Sequence, residues 1–407
     1  MSVSAATEPR RLPDVDYEGF AAELFALKKR TADSLGAEDI RHLKKLIWIN
    51  RLFTFFGYAT AWIFPNPISA YFISQGLTGR WIMMHHISHG GYDAVPGVPR
   101  RYTSKVFAQG HRRWIDWFDW IIPAAWHFEH DILHHCNTNE CKDPDLVEDH
   151  TEFLRQGNYP RWARYIIFTV TALSWKYIYY APNTLRCLEE GDYADDMKGL
   201  RNIIWQNILD IREARVRKVW IHCYAPYFLV SFVLLPLAFW PFGWQASLFV
   251  LINRLIAECI TNVHTFCIIT PNHAGDDLYR FDYHFHGKGE WCVNQVVSSC
   301  NYACGTDTVD YFQGWLNYQI EHHLFPRFPM LKYQQIQPEV KAICERYGVP
   351  YIQENVVKRV AQLYSISTGK GEMMWLREDV PLSESGAAED SEFAKIENTP
   401  ELASSEA

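Results

Sequence analysis

Four stretches of the chain are apolar for long enough to cross a bilayer, and turn-forming or charged residues separate them. The first covers 45–64, just sufficient for about 30 Å of hydrocarbon. Asn50 and Arg51 lie near its start, where an arginine can extend its charge toward the interface. Pro65-Asn66-Pro67 is a tight reversal, and 67–84 returns as a second helix whose middle (Ser74, Gln75, Gly76, Gly79) is only weakly apolar. The third covers 219–240 and ends at Trp240-Pro241-Phe242-Gly243. The fourth, 244–268, returns from that turn and carries Glu258, a polar group that in a membrane faces a site or a partner such as Arg254.

The remaining segments are wetter. Residues 1–15 read as a polar cytosolic start, and 17–45 as amphipathic helices with Phe20, Leu24, Phe25 and Leu27 on one apolar set. Residues 121–135 form a helix too short to span, and 136–160 are polar and turn-rich, with Asn137, Asn139, Glu140, Asp143 and Asp145 as candidate outer groups of a site. Residues 162–180 are long and aromatic, but Arg161, Arg164 and Lys176 and the charged helix expected over 191–218 favour a helix lying on the membrane surface. Residues 331–347 read as a polar helix and 348–372 as an extended cap; 380–407 are rich in Ser, Glu and Ala and should be disordered. The expectation is an all-α integral membrane protein: a cytosolic N-terminal region (1–44), a membrane domain (45–350), a cap extension (351–379) and an acidic tail (380–407). The Lys/Arg bias places the open ends of all four spans in the cytoplasm.

Composition narrows the function classes. A net charge of −8 over 407 residues argues against a nucleic-acid surface. The ten cysteines are scattered with no CxxC pair, so they read as reduced thiols. No cleavable signal peptide is expected, because the first apolar run lies too far into the chain. Aromatic residues make up 15% of the chain and gather near the apolar runs, as at lipid interfaces.

The chemistry lies in histidines. His85, His86 and His89 close the second apolar run; His127, His130, His134 and His135 occupy the short helix; His264 and His273 follow the fourth run; Gln319, His322 and His323 come last. His85/His89 and His130/His134 are i,i+4 pairs sharing a helix face. Neutral imidazole suits iron, zinc, copper and nickel. Adjacent α-helical positions point about 100° apart, so His134 and His135 would each serve a different ion of a pair. His284 and His286 alternate in a segment without periodicity and are weaker candidates. Neither the Glu-x-x-His pairs of soluble di-iron bundles nor the His-Glu-x-x-His of zinc proteases is present.

The set resembles the integral-membrane fatty acid desaturase and hydroxylase family. His85-xxx-His89 looks like its first histidine box, His130-xxx-His134-His135 like its second, and Gln319-xx-His322-His323 like its third in the glutamine form of front-end acyl desaturases. Asn272-His273 resembles the additional ligand between boxes two and three. The resemblance runs from about 45 to 350. It implies two non-haem Fe ions held by His85, His89, His130, His134, His135, His273, His322 and His323, with Gln319 a poorer ligand or a bonding neighbour. His86 is the alternative to His85, and His264 a candidate outer group.

The resemblance further implies an O2-dependent desaturase inserting a cis double bond into a long acyl-lipid or acyl-CoA chain. A lipid or alkane hydroxylase of the same superfamily is the alternative. A zinc lipid hydrolase and a metal-binding receptor or transporter are further alternatives. The front-end type often carries a fused cytochrome b5 domain with a His-Pro-Gly-Gly motif, which is absent here. Electrons are therefore expected from a separate ferredoxin or cytochrome b5 and its reductase. The implied location is a bacterial inner membrane or endoplasmic reticulum, multi-pass, with the site facing the cytoplasm. Arg10, Arg11, Lys28, Lys29, Arg30, Arg112 and Arg113 are candidates for a phosphate headgroup or coenzyme A, or simply solubilising charge.

Overall fold

Residues 11–190 and 209–377 are described by the computed structural model. The polar start before residue 11, most of the charged helix expected over 191–218 and the acidic tail lie outside them.

The described chain is mostly helical. Helix α1 (Tyr17–Asp33) begins with Asp16 accepting the Gly19 amide, and its Phe20, Leu24 and Leu27 are buried. Helices α2 (Ala37–Ala61) and α3 (Pro67–Ser88) form a tight antiparallel hairpin. Asn66 caps α3 by accepting the Ser69 amide at 2.8 Å, and Pro67 at its first position has no amide hydrogen to satisfy. Buried Asn253 locks the reversal from outside: its side chain accepts the Asn66 amide (2.9 Å) and donates to Ala61 O (2.8 Å).

The hairpin explains why the middle of α3 reads as weakly apolar. A Cβ on Gly57 would stand 2.8 Å from the Ile73 amide, one on Gly76 2.4 Å from Thr54 Oγ1, and one on Gly79 2.2 Å from the Asn50 amide nitrogen. Small residues let the two backbones approach. Asn50 donates to Gly76 O (3.0 Å), and Thr261 donates to Ser74 (3.1 Å). The polar groups of α3 therefore face protein. Its neighbour turns Trp48, Leu52, Phe55 and Phe56 outward.

A short helix, α4 (Pro123–Trp126), runs directly into a π-helical stretch (His127–His134). Helix α5 (Arg161–Trp175) continues through a π-helical turn (Lys176–Tyr180) into Ala181–Glu190. Its exposed residues Trp162, Ile166, Val170 and Leu173 make an apolar outer stripe. Two helical stretches, α6 (Ala214–Phe242) and α7 (Trp244–His273), are long and apolar enough to cross a membrane; they are the two that meet that test among the described residues. In α7, Glu258 receives Trp120 Nε1 (2.7 Å), Tyr227 OH (2.9 Å) and Arg254 Nη1 (2.8 Å). The local-partner reading of Glu258 thus describes its contacts.

Strands break the all-helical expectation. Tyr279–Phe281 (β1) pairs in parallel with Met374–Leu376 (β4), and Cys300–Asn301 (β2) with Ile352–Gln353 (β3). Strands of two or three residues carry no usable alternation, so the sequence pattern misses them. They tie the C-terminal segment, with α11 (Val356–Ser367), onto the chain between α7 and the third histidine pair. Between them lie α8 (Gly287–Val297), α9 (Gln319–Leu324) and α10 (Met330–Tyr347).

Several cations proposed for a headgroup are used internally. Arg11 bonds Glu290 (2.7 Å), Arg30 pairs with Glu339, Arg112 with Asp116 (2.7 Å), and Arg113 donates to the carbonyls of Asp119 and His222.

Candidate metal centre

Four separated stretches bring their imidazoles together. The C-terminal end of α3 supplies His85 and His89, the π-helical stretch supplies His130, His134 and the following His135, the end of α7 supplies His273, and α9 supplies His322 and His323. All eight are buried. Three groups among the described residues have ligand atoms within 4.8 Å of one another: His85, His89, His130 and His322; His134, His273 and His323; and His130, His134 and Asp145, which overlaps both. His135 stands between the first two. Its ring stacks on His323 at 4.2 Å and lies 4.5 Å from His89 and 4.8 Å from His322.

The π-helical geometry changes the expected divergence of the second histidine pair. A wider turn, closed by i to i+5 hydrogen bonds, brings positions four and five apart to one side. His130 thus lies against His134 (5.1 Å, nearly parallel) and against His135 (5.0 Å). Both neighbours of the pair face inward.

An outer layer of acceptors orients the rings. His89 Nδ1 donates to Asp131 (2.6 Å), His134 Nδ1 to Asp143 (2.8 Å), and His273 Nδ1 to Ser298 O (3.1 Å). His323 Nδ1 meets Gln295 Oε1 (3.0 Å), and His322 Nδ1 meets Tyr333 OH (3.2 Å). With Nδ1 carrying the proton, each Nε2 presents a lone pair inward, as metal-binding imidazoles do. Nε2 of His89, His130, His135 and His323 has no hydrogen-bond partner, although each is buried. His85 Nε2 and His322 Nε2 face each other at 3.0 Å.

Buried nitrogens without partners are costly, and bound cations would remove that cost for the nitrogens that face inward. Burial pushes His130, His135, His322 and His323 well below the usual histidine range, with the neighbouring histidines adding to the effect. Neutral rings are the ligand form. The third box is itself anchored: Glu321 receives Asn301 (2.7 Å) and Tyr351 OH (2.8 Å).

The weaker candidates fall elsewhere. His86 donates through Nε2 to Gly314 O (3.0 Å), and His264 to Phe312 O (2.7 Å). His284 is half exposed and bonds Glu140 at 2.9 Å, outside the cluster. Gln319 does reach it, with its amide nitrogen 2.9 Å from His273 Nε2. Sequence reasoning missed Asp131, Gln295, Ser298 and Tyr333. Only Asp131 leaves a signal, as the i+4 partner of His127.

A cavity of about 530 Å³ leads from the centre. His85, His130, His134, His273 and Gln319 line one part; Trp81, Ile167, Phe168, Trp175 and Phe266 line its apolar length between α3, α5 and α7. Its volume is that of a small-ligand site.

A buried histidine cluster suited to transition-metal ions, beside an apolar cavity in a mostly helical protein with membrane-type helices, defines the class. The fatty acid desaturase family model matches residues 41–355, and the chain belongs to that family of oxidoreductases. It is similar to the NADPH-dependent stearoyl-CoA 9-desaturase of Mycobacterium tuberculosis (strain H37Rv), with 25% identity over 366 residues, covering 84% of this chain and 76% of the relative. It is similar to the sn-1 linoleoyl-lipid 6-desaturase of Arthrospira platensis, at 22% identity over 82% of this chain and 87% of the relative. Fatty acid desaturase 3 of Bos taurus shares 23% identity over 77% of this chain and 68% of its own length.

Proposed function

We propose that the protein is an O2-dependent desaturase that places a cis double bond in a long acyl chain, using two non-haem irons. The carrying observation is the pair of buried imidazole groups opening on one apolar cavity. His85, His89, His130 and His322 would hold one iron, His134, His273 and His323 the other, with His135 between them. Bound iron supplies the dioxygen chemistry needed to remove hydrogen from an unactivated carbon.

The chain's own residues do the rest. Asp131, Asp143, Gln295, Ser298 and Tyr333 fix the ring orientations. The aromatic and aliphatic lining excludes water and lays an alkyl chain beside the histidines. The named relatives act on an acyl-CoA and on an acyl lipid, so the headgroup stays a choice between those two.

In this reading α2, α3, α6 and α7 all cross the bilayer, with the histidines on the cytoplasmic side and α5 lying on the surface. The outward aromatic and aliphatic side chains of α2 and α6 support it, since soluble surfaces rarely expose so much contiguous apolar area. The test is expression in a host of defined fatty acid content with a reduced ferredoxin or cytochrome b5. A lipid product two hydrogens lighter than its precursor is expected. A product one oxygen heavier, without an alkene, overturns desaturation in favour of the hydroxylase reading.

A further inference from the structure

Helix α3 carries a cation with no counter-charge among the described residues. Trp81 lines the apolar cavity, but the residue before it, Arg80, does not. Arg80 is partly buried, and no hydrogen bond or ion pair within the described chain reaches its guanidinium. The side chains that act on it most strongly are Tyr58, Arg254, Tyr227 and Arg51. None of these is a carboxylate, and neutral tyrosines carry no charge. Arg254 is already neutralised by Glu258 at 2.8 Å, and Tyr227 donates to the same carboxylate at 2.9 Å. Arg51, the remaining neighbour, is a second cation. It is exposed, lies over the Trp48 ring at 5.4 Å, and has no ion pair among the described residues.

The helical hairpin sets where the two arginines start. A Cβ on Gly79 would stand 2.2 Å from the Asn50 amide nitrogen. Arg80 and Arg51 follow those two residues in sequence, so they leave α3 and α2 within one helical turn of each other. Arg80 precedes His85 by five residues, about 7.5 Å along the helix. Trp48, 60% exposed, sits just before Arg51 on α2. With α2 and α3 read as spans, this is the cytoplasmic interfacial level, where exposed tryptophans gather.

An unpaired charge inside a span is expensive and marks a place where a partner or ligand belongs. Basic pockets between spans on the cytoplasmic side take anionic headgroups. The guanidinium fork matches phosphate oxygens two at a time. We propose that Arg80 and Arg51 hold the phosphate of an anionic phospholipid of the cytoplasmic leaflet, at a site on the α2–α3 hairpin apart from the acyl cavity. The proposal rests on the reading of α2 and α3 as membrane spans and is independent of the iron chemistry.

The test titrates the full-length protein in detergent with dioleoylphosphatidylglycerol or dioleoylphosphatidylcholine. Native mass spectrometry counts retained lipid, and thermal unfolding reads stabilisation. Phosphatidylglycerol should bind about tenfold more tightly than phosphatidylcholine and raise the unfolding temperature. Arg80→Gln should shrink that preference to about twofold or less, and Arg51→Gln should shrink it in part. Arg80→Lys keeps the charge and should keep most of the preference. Lys44→Gln removes an exposed charge from α2 and should leave the preference unchanged. Without phosphatidylglycerol, Arg80→Gln should unfold at or above the wild-type temperature, because the charge it removes has no partner in the chain.

An undiminished preference in Arg80→Gln, or a loss as large in Lys44→Gln, overturns the site. An unfolding temperature lowered equally by Arg80→Gln with and without phosphatidylglycerol gives Arg80 a role inside the chain and overturns it as well. Protection by inorganic phosphate as strong as that by phosphatidylglycerol overturns the lipid as occupant. Failure of the membrane reading is distinct from these: wild-type protein then stays soluble without detergent and binds neither lipid.

Discussion

Replacing Asp143 with asparagine should loosen metal from the centre without dismantling the protein. Asp143 is buried and accepts three hydrogens: His134 Nδ1 and the Asp145 amide on one oxygen, both at 2.8 Å, and the Asn139 amide on the other at 2.7 Å. Asparagine has one acceptor oxygen and brings an NH2 group. The cheaper orientation keeps oxygen toward His134 and turns the NH2 against the Asn139 amide, leaving two donors face to face. A buried donor without an acceptor costs about 1–3 kcal/mol. Loss of the negative charge also makes His134 a weaker donor of electrons to a metal. Outer-layer changes of this kind lower metal affinity about 10–100-fold, or about 1.4–2.7 kcal/mol, and the added mismatch places Asp143→Asn toward the upper end. Iron per chain after dialysis against graded chelator reads the affinity, and thermal unfolding of the metal-free protein reads any structural damage. Iron retention matching the wild type at every chelator concentration would refute the assignment of His134 as a ligand held by Asp143.

His323→Ala, which opens one imidazole group, should abolish turnover and lower iron by about half, whereas His284→Ala should leave iron unchanged because its ring bonds Glu140 outside the cluster; elemental analysis separates the two. Reporters inserted after Arg212 should read cytoplasmic and those in the Pro65–Pro67 and Pro241–Gly243 turns external; an external reading at Arg212 would mean that α5 crosses. His42, near the start of α2, is held by burial at about 4 against an ordinary 6.5, with Asp307 and Glu38 raising it, Lys45 lowering it, and Trp315 packed edge-on. A histidine whose folded value is depressed stabilises fully above 6.5 and loses that contribution as pH falls toward 4, so roughly 3 kcal/mol should disappear over that window. His42→Phe should show a flatter dependence of Tm on pH between 7 and 4 than the wild type.

The histidine cluster was legible because two residues four apart on a helix share a face, as at His85/His89 and His130/His134. Their orienting partners were not, because Gln295, Ser298 and Tyr333 reach the rings from other elements and nothing in their own neighbourhoods marks them. The inward turn of both His134 and His135 depended on π-helical winding, which residue identity does not announce. The long helices were unevenly legible for a related reason. Helices α6 and α7 show their apolar faces plainly, while α3 spends its middle on Gly76, Gly79, Ser74 and Gln75, which serve close contact with α2 and α7 rather than lipid. The parallel pairings of 279–281 with 374–376 and of 300–301 with 352–353 join distant segments through too few residues to leave a pattern.

Gln319 shows how a neighbour bears on what spacing left open. Asn272 donates its side-chain amide to Ile268 O (3.2 Å) and Leu316 O (3.0 Å), so its NH2 group cannot turn away without stranding two carbonyls. The same NH2 donates to Gln319 Oε1 at 3.1 Å. That fixes the glutamine oxygen toward Asn272 and leaves its nitrogen toward His273 Nε2. An amide nitrogen carries no lone pair for a metal, and coordination through oxygen would require both amides to rotate. We therefore expect Gln319 to serve as a neighbour of His273 and a wall of the cavity rather than as a ligand. Gln319→Leu, close in volume, should keep iron within about twofold of wild type, because the His273 ring keeps the Ser298 bond that orients it, and larger losses of affinity follow when an orienting partner is removed. Turnover should fall more than iron does, because the leucine alters the polar end of the cavity proposed to take the acyl chain. A loss of iron as large as that of His323→Ala would make Gln319 a ligand and reverse the orientation argued from Asn272.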